Sequence, residues 1–554
     1  MKRYLLPAIL FLMAPQLSWT QSTYQSVYKI LEEKCASCHG NASPQSGLDL
    51  EGSGATVSAR AADVYDNLVW KQPENSYAQG KRFSQIYPGR PDRSFLFRKV
   101  NNGLEQTIQL DAQEGGVQPP VGHPALSKVE RELIRQWILF GAPADGTVVK
   151  ESLLDDYYNK NGIASFPDGP PPAPAEGEGF QIKMGPFYLE PAGSGNNELE
   201  FFQKYELELP DDVDVNRIDI QISNYSHHFI VYSYENPSDA TAVNHGMRLN
   251  PYHKDVNLVT AVQEATDLKL PNGTAFIWDN DIVLDLNSHY INYSANATYQ
   301  AEAYLNVYTQ AARTAKQEMR SELVANVDIF IPNNGTPTTF NEALTDDGLG
   351  EIFVWGLMGH THQYGTGYKI YKREGGRIGD IIYDGACAQG VPNCLAPEFD
   401  YQHIPLRYFD EFLPIDMRSG NGLIHSAEWV NDGPRNVWFG LTSEDEMMVM
   451  IMMYLTDTTG LSQTTTSIGS PLVELPGLRV HPNPMREQTT FYLPPGYGEL
   501  QITIYDLLGR QLRSYSGQGG TMFNLERGTL EKGMYVYKVE DSSGRVASGK
   551  LLLE

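Results

Sequence analysis

The chain has 554 residues, with 42 basic against 68 acidic side chains and a net charge of −26. That length exceeds what one hydrophobic core organises and implies three or four domains. The acidic balance argues against nucleic acid or an anionic membrane as a partner and fits solubility outside a cell.

Lys2 and Arg3 precede the apolar run "YLLPAILFLM", and the more polar "APQLSWTQS" follows. This reads as a secretory signal peptide over 1–20, too short to span a membrane comfortably. No later run reaches the ~18 apolar residues of a spanning helix; "MMVMIMMYL" stops at Leu455. An exported protein without a transmembrane helix is expected. Export permits disulfides. Of the four cysteines, Cys35 and Cys38 lie in "CASCHG"; if they are engaged otherwise, Cys387–Cys394 is the pairing left.

Residues 24–148 read as a small all-α domain. In "LSKVERELIRQWILFGAP", Ser127 and Glu130 form a capping box. Val129, Leu133, Ile134, Trp137 and Ile138 then recur at helical spacing, and Gly141 with Pro143 stops the helix. The proline- and glycine-rich "FPDGPPPAPAEGEG" marks a flexible linker within 149–180. From 181 to 456 the pattern changes to short alternating runs such as "NRIDIQIS" and "EAYLNVYTQ", which imply antiparallel sandwiches. A second linker is expected at 457–472, and 473–554 read as a small β-sandwich.

"CASCH" is Cys-x-x-Cys-His. Two thiols on one helical turn can form thioethers to a haem, with His39 reaching the iron. A redox dithiol would not need His39, and half of a zinc site would need two further ligands. The segment resembles a small cytochrome c domain, from "ILEEKCASCHG" through "PGRPDRSFLFRKV" to "QPPVGHPALSKVERELIRQWILFGAP". In that family form a methionine directly before the Pro-Pro pair binds the far side of the iron. Here the position is Gln118, and no methionine lies between Met13 and Met184. The other histidine of the segment, His123, is either the second axial ligand or a surface loop residue.

"EIFVWGLMGHTHQYG" holds His360 and His362 two apart, on one face of a strand. "NYSHHFIVY" carries His227 and His228, "LNSHYINYS" carries His289, and "SEDEMMVMIMMY" carries Met447. Adjacent His227 and His228 face opposite ways on an ideal strand, so one metal could take both only at a twist or a strand end. The ordered set His-His, His-Tyr, His-Thr-His and Glu-Met resembles the copper type II, ascorbate-dependent monooxygenases, which include the peptidylglycine α-hydroxylating and dopamine β-monooxygenases; the likeness runs over roughly 185–455. It implies two jelly-roll subdomains, 181–310 and 311–456, each holding one copper. By resemblance His227, His228 and His289 bind the electron-storing copper. His360, His362 and Met447 bind the copper where dioxygen is activated. Imidazole suits copper in both oxidation states, and one thioether favours Cu(I). Met358 shares the face of His360 and competes with Met447 as the thioether. It stands where the peptide-amidating members carry a carboxylate-binding arginine, which argues against a peptide C-terminal glycine as substrate.

The C-terminal pieces "HPNP", "YDLLGR", "GMYVYKV" and "GKLLLE" resemble the sorting domain of the type IX secretion system; a carbohydrate-binding β module is the rival reading. Together these imply an exported monooxygenase with two copper ions and one covalent c-type haem. It would hydroxylate a small organic substrate with dioxygen, drawing electrons from an external donor through the tethered haem. A non-catalytic copper and haem electron-transfer protein at the cell surface is the alternative. A double-sandwich hydrolase like the glycan-removing amidases ranks last.

Overall fold

The computed structural model describes residues 22–553 except 121, 224, 250–251, 254, 387–398, 403, 441–443, 463–477, 482–484, 494–498, 506–510, 519, 531 and 542–545. The signal peptide and the Cys387–Cys394 pairing expected from sequence therefore lie outside the described residues. The chain is mostly β-sheet with few helices, and it divides into two units, 1–465 and 466–554.

In the first unit, short helices open the chain: Thr23–Lys34, Val57–Leu68, Ser76–Gly80, Phe95–Asn101 and Lys128–Leu139. The last begins in the capping box read from sequence. Ser127 Oγ accepts from the Glu130 N–H at 3.1 Å, and the Glu130 carboxylate accepts from the Ser127 N–H at 2.6 Å. Its apolar face, Leu133, Ile134, Trp137 and Ile138, packs with Tyr24, Val27 and Leu31 of the first helix. Its polar face is buried too: Glu132, Arg135 and Gln136 are at most 3% exposed.

That second burial arises because the helix lies against the β-sheets. Gln136 Nε2 donates to the Pro186 carbonyl at 2.7 Å, and Arg135 pairs with Glu132 and, at 2.8 Å, with Glu105. Lys183, on strand Gly179–Leu189, pairs with Glu105 and, at 2.8 Å, with Glu302. Arg90 reaches the Glu206 carbonyl at 2.5 Å, and Arg93 pairs with Glu208. Glu105, Glu132, Arg135 and Lys183 thus each have an opposite partner, without which the desolvation of a buried charge is costly.

The region read from sequence as a linker is largely built in. Glu151–Asp156 is a helix whose Leu154 is fully buried, and Gly162–Ala164 pairs in parallel with Thr298–Ala311. The proline-rich stretch has no regular structure, yet the Pro171 and Pro172 carbonyls accept from Gln181 Nε2 and Asn306 Nδ2, each at 3.0 Å. The helical segment is docked on the sheet rather than loosely tethered to it.

The central element is a nine-stranded sheet. Its order is Arg407–Asp416, Glu351–His360, Val449–Leu455, Arg320–Ala325, Val256–Val262, Ser226–Tyr234, Val283–Ile291, Glu198–Glu206, Gly246–Arg248. It is continuous across the halves that the sequence divided at 310/311. A seven-stranded sheet around Thr298–Ala311 packs on it through Phe187, Ile218, Leu284 and Leu305, and a four-stranded sheet around Gly422–Val430 closes the other end through Leu357, Tyr368 and Trp429.

The second unit has two antiparallel sheets. One is Arg479–His481, Gln488–Tyr492 and Met522–Glu526; the other is Gln511–Gln518, Glu499–Tyr505, Gly533–Asp541 and Val546–Leu553. Phe491, Ile502, Ile504, Val539 and Leu551 fill the space between them.

Arg135→Leu would leave Glu132 and Glu105 buried with one cation fewer. A loss of about 3–5 kcal/mol of unfolding free energy is expected, measured by denaturant titration of the full chain; an unchanged midpoint would contradict it. Burial would raise the Glu105 carboxyl, but Lys183 and Arg135 hold it down to about 2. Its contribution is complete above the ordinary glutamate range and is lost as the pH falls from about 4.5 towards 2.

Candidate metal centre

The five histidines singled out in the sequence come from three separate stretches and meet in one pocket. His227 and His228 open strand Ser226–Tyr234, His289 is near the end of Val283–Ile291, His360 closes Glu351–His360, and His362 follows it. All are buried. The register explains how adjacent His227 and His228 share a pocket. His289 pairs with His228, but the next residue, Tyr290, pairs with Ser226, so the ladder skips His227. Such a bulge leaves one residue out of the alternation and re-aims its side chain.

Two triads result, His227–His228–His289 and His227–His360–His362. In each, the candidate ligand atoms lie within 4.8 Å of one another. The resemblance to the copper monooxygenases implied two separate sets. The structure joins them in one cluster, with His227 ring centroids 5.2 Å from His289, 5.6 Å from His360 and 5.7 Å from His362.

The outer face of the cluster orients the rings. His228 Nε2 lies 3.2 Å from both Glu200 Oε1 and Asn287 Oδ1, and His289 Nε2 lies 2.9 Å from Glu198 Oε1. His362 Nδ1 lies 3.2 Å from the Asp445 carbonyl. These acceptors hold the ring proton on the outer nitrogen and turn the other lone pair inward. His360 differs: Gln263 Nε2, its amide fixed by backbone bonds to Tyr401 and Ile404, donates to Nδ1 at 3.3 Å. This puts the ring proton on the inner Nε2, so His360 ligates a metal only in the other tautomer, with that amide turned over. On the inner side, His227 Nε2, His228 Nδ1, His289 Nδ1, His360 Nε2 and His362 Nε2 are buried with no hydrogen-bond partner among the described residues. Five converging, unsatisfied imidazole nitrogens are costly in a folded interior, and a metal ion that favours imidazole fits them.

Burial, reinforced by the neighbouring rings, holds His227 and His360 well below the usual histidine range and brings His362 down to about 4. These three rings are neutral at pH 7, the form that ligates metal. Burial would raise the Glu200 carboxyl, but the hydrogen bond from His228 keeps it below its ordinary value.

Glu446 clamps the His360–His362 turn. It is fully buried and accepts from the N–H groups of His362 (2.8 Å) and Tyr364 (2.7 Å), and from Trp429 Nε1 (2.8 Å). Burial pushes its carboxyl up to about 7 against those donors. Gly359 has a packing reason: a Cβ there would fall 2.2 Å from the Tyr368 ring. Met447 and Met358 share one apolar cluster with Leu258, Val449 and Ile451, so the packing does not choose between them as a thioether. A cavity of about 40 Å³, lined by Gln263, Met358, Ile404 and Leu406 among others, adjoins this side.

At the N-terminal motif, Cys35 caps the first helix and both Cys35 and Cys38 are free thiols. His39 Nδ1 lies 3.1 Å from the carbonyls of Gln45 and Leu48, which keeps the proton there and leaves Nε2 as the lone pair. Burial pushes the Cys35 thiol up to about 11. The residues present fit a thioether-linked haem with His39 as one axial ligand. His123 is exposed, and its backbone N–H bonds the Pro120 carbonyl at 3.2 Å.

Glu198, Glu200, Asn287, Gln263 and Glu446 were not found as site residues from sequence. The i, i+2 spacing of Glu198 and Glu200, and of Asn287 and His289, was a readable sign, because each pair shares a strand face.

Residues 479–554 match the family described as "Secretion system C-terminal sorting domain". The second unit is thus a type IX secretion sorting domain, and the protein is exported, to be attached at the cell surface or released. No described helix is long and apolar enough to cross a membrane. A search of curated proteins found no match. Among solved structures, the β-glucuronidase of Parabacteroides merdae is 8% identical over 40% of this chain, with a TM-score of 0.18; the alignment spans only 29% of that protein. A peptide-N(4)-(N-acetyl-β-D-glucosaminyl) asparagine amidase is 12% identical over 51% of this chain and 98% of its own, with a TM-score of 0.24. PNGase F of Flavobacterium meningosepticum is 11% identical, with a TM-score of 0.23, over 51% of this chain and 97% of its own. At such scores nothing of those proteins carries over.

Glu446→Gln would present an amide N–H group to one of the backbone donors that the carboxylate accepts from. Metal affinity is expected to fall about 10–100-fold with the fold retained, as read by competition with a chromophoric chelator; unchanged affinity would show that the clamp does not orient the ligands.

Proposed function

We propose that the chain is an exported copper-dependent monooxygenase, with copper held by the buried histidines and electrons delivered through a c-type haem on Cys35, Cys38 and His39. The observation that carries this reading is the set of five inward, unsatisfied imidazole nitrogens. The ordered likeness of these stretches to the copper type II monooxygenases supports copper over zinc, as does a thioether nearby, Met447 or Met358.

In the overall reaction a substrate C–H bond and dioxygen, with two electrons and two protons, give the alcohol and water. Copper, when bound, supplies one-electron redox chemistry and a place for dioxygen to be reduced. The protein's own residues prepare the site. Glu198, Glu200, Asn287 and the Asp445 carbonyl keep three rings in the metal-binding tautomer. Glu446 holds the turn carrying His362. Burial keeps His227, His360 and His362 neutral. In the haem segment, the Gln45 and Leu48 carbonyls hold the proton on His39 Nδ1, so that Nε2 would be the lone pair that ligates a haem iron. Docking of that segment through Lys183, Arg90 and Arg93 favours electron transfer within one chain.

One observation favours a second reading, a metal and haem electron-transfer protein. The cavity bordering Gln263 and Met358 measures about 40 Å³, near the share of one water molecule and far below an organic substrate.

The readings separate in one experiment on the full, haem- and copper-loaded chain. Reduced protein is expected to consume dioxygen in proportion to hydroxylated product across a panel of small apolar substrates. His360→Ala or strong chelation should abolish that uptake, and Cys38→Ala should lose covalent haem and its reductant coupling. Haem oxidation by copper without product would support the electron-transfer reading instead. Turnover that survives chelation would overturn both.

A further inference from the structure

We propose that the five histidines form two overlapping three-histidine metal sites with His227 as their common ligand. A first ion then has two alternative seats, and a second sits close enough to couple to it. This rests on the copper reading above and deepens it, since two independent sites would follow from the sequence order alone.

The support is geometric. His227 is a corner of both triads, and neither triad spans more than 4.8 Å between candidate ligand atoms. Two ions, one on His228 and His289 and one on His360 and His362, would lie close together, because both pairs converge on His227. No intervening layer separates the sets: the His228 and His360 ring centroids are 5.8 Å apart. The anchoring is also divided. Carboxylates and an amide on the strands Glu198–Glu206 and Val283–Ile291 orient His228 and His289, whereas Gln263 and the Asp445 carbonyl lie behind His360 and His362. His227 stands between the pairs, in ring contact with all four. A neutral histidine offers one lone pair, so His227 serves one ion at a time. Five imidazoles therefore divide as three and two, and either pair can recruit the common ring.

Two properties distinguish this arrangement from separate sites, and both are read on the full, haem-loaded chain with Cu(II) alone as the probe. His289→Ala leaves the triad His227–His360–His362 intact, and His360→Ala leaves His227–His228–His289 intact. Each should bind a first Cu(II) within about tenfold of the unmutated chain, while His227→Ala, which breaks both triads, should weaken it by about 100-fold or more. Equal loss in His227→Ala and His289→Ala would overturn the shared ligand. The second property is magnetic. One equivalent of Cu(II) should give an isolated signal by electron paramagnetic resonance, after subtraction of the haem spectrum. Two equivalents should broaden or diminish that signal and add a half-field transition. Two bound ions with fully additive signals would overturn the proposal while leaving a copper protein in place; a chain that binds no copper would overturn the metal reading as well. Circular dichroism of each variant separates ligand loss from misfolding, and the three variants control for one another because each removes one buried imidazole.

Discussion

Five imidazoles share one buried pocket, and such burial is costly unless their ring nitrogens find partners. Three outer nitrogens meet acceptors: Glu200 with Asn287, Glu198, and the Asp445 carbonyl. The inner five meet nothing in the described protein. Much of the architecture around them serves that constraint. The bulge at His227 turns two adjacent histidines to one side, Glu446 pins the turn after His360, and the continuous nine-stranded sheet brings stretches more than a hundred residues apart into one register.

The same economy of buried charge joins the helical segment to the sheets. Arg135, Glu132, Glu105, Lys183 and Glu302 form a chain of opposite charges from a helix to two strands. Such a network costs desolvation energy and repays it only in fixed geometry. Its consequence is positional: the Cys35–His39 motif belongs to a body held against the β-sheets.

The periodic elements were readable before the structure. The capping box at Ser127, the helical spacing through Ile138 and the alternating runs after 181 follow from local rules. What local rules could not supply was pairing. The burial of the polar face of Lys128–Leu139 is not written in its own spacing, because Arg135 meets Glu105, and Glu132 meets Tyr158, only across the fold. The proline-rich stretch looked like a free linker, because nothing in its composition shows that Gln181 and Asn306 will donate to its carbonyls. The histidines were legible as ligand types in order, but not as one cluster. His360-x-His362 suggested a strand face, yet the strand ends at His360, and a carboxylate 84 residues beyond His362 completes the geometry. His227 joins both triads through a skipped register position that only the pairing of two strands defines.

The central claim, that these histidines hold metal together, is tested most directly by anomalous diffraction at the copper absorption edge from copper-soaked crystals of the full chain. The account predicts anomalous density enclosed by His227, His228, His289, His360 and His362, with Glu198 and Glu200 still bonded to the outer nitrogens. Density only at surface histidines, with the five inner nitrogens turned to hydrogen-bond partners, would contradict it.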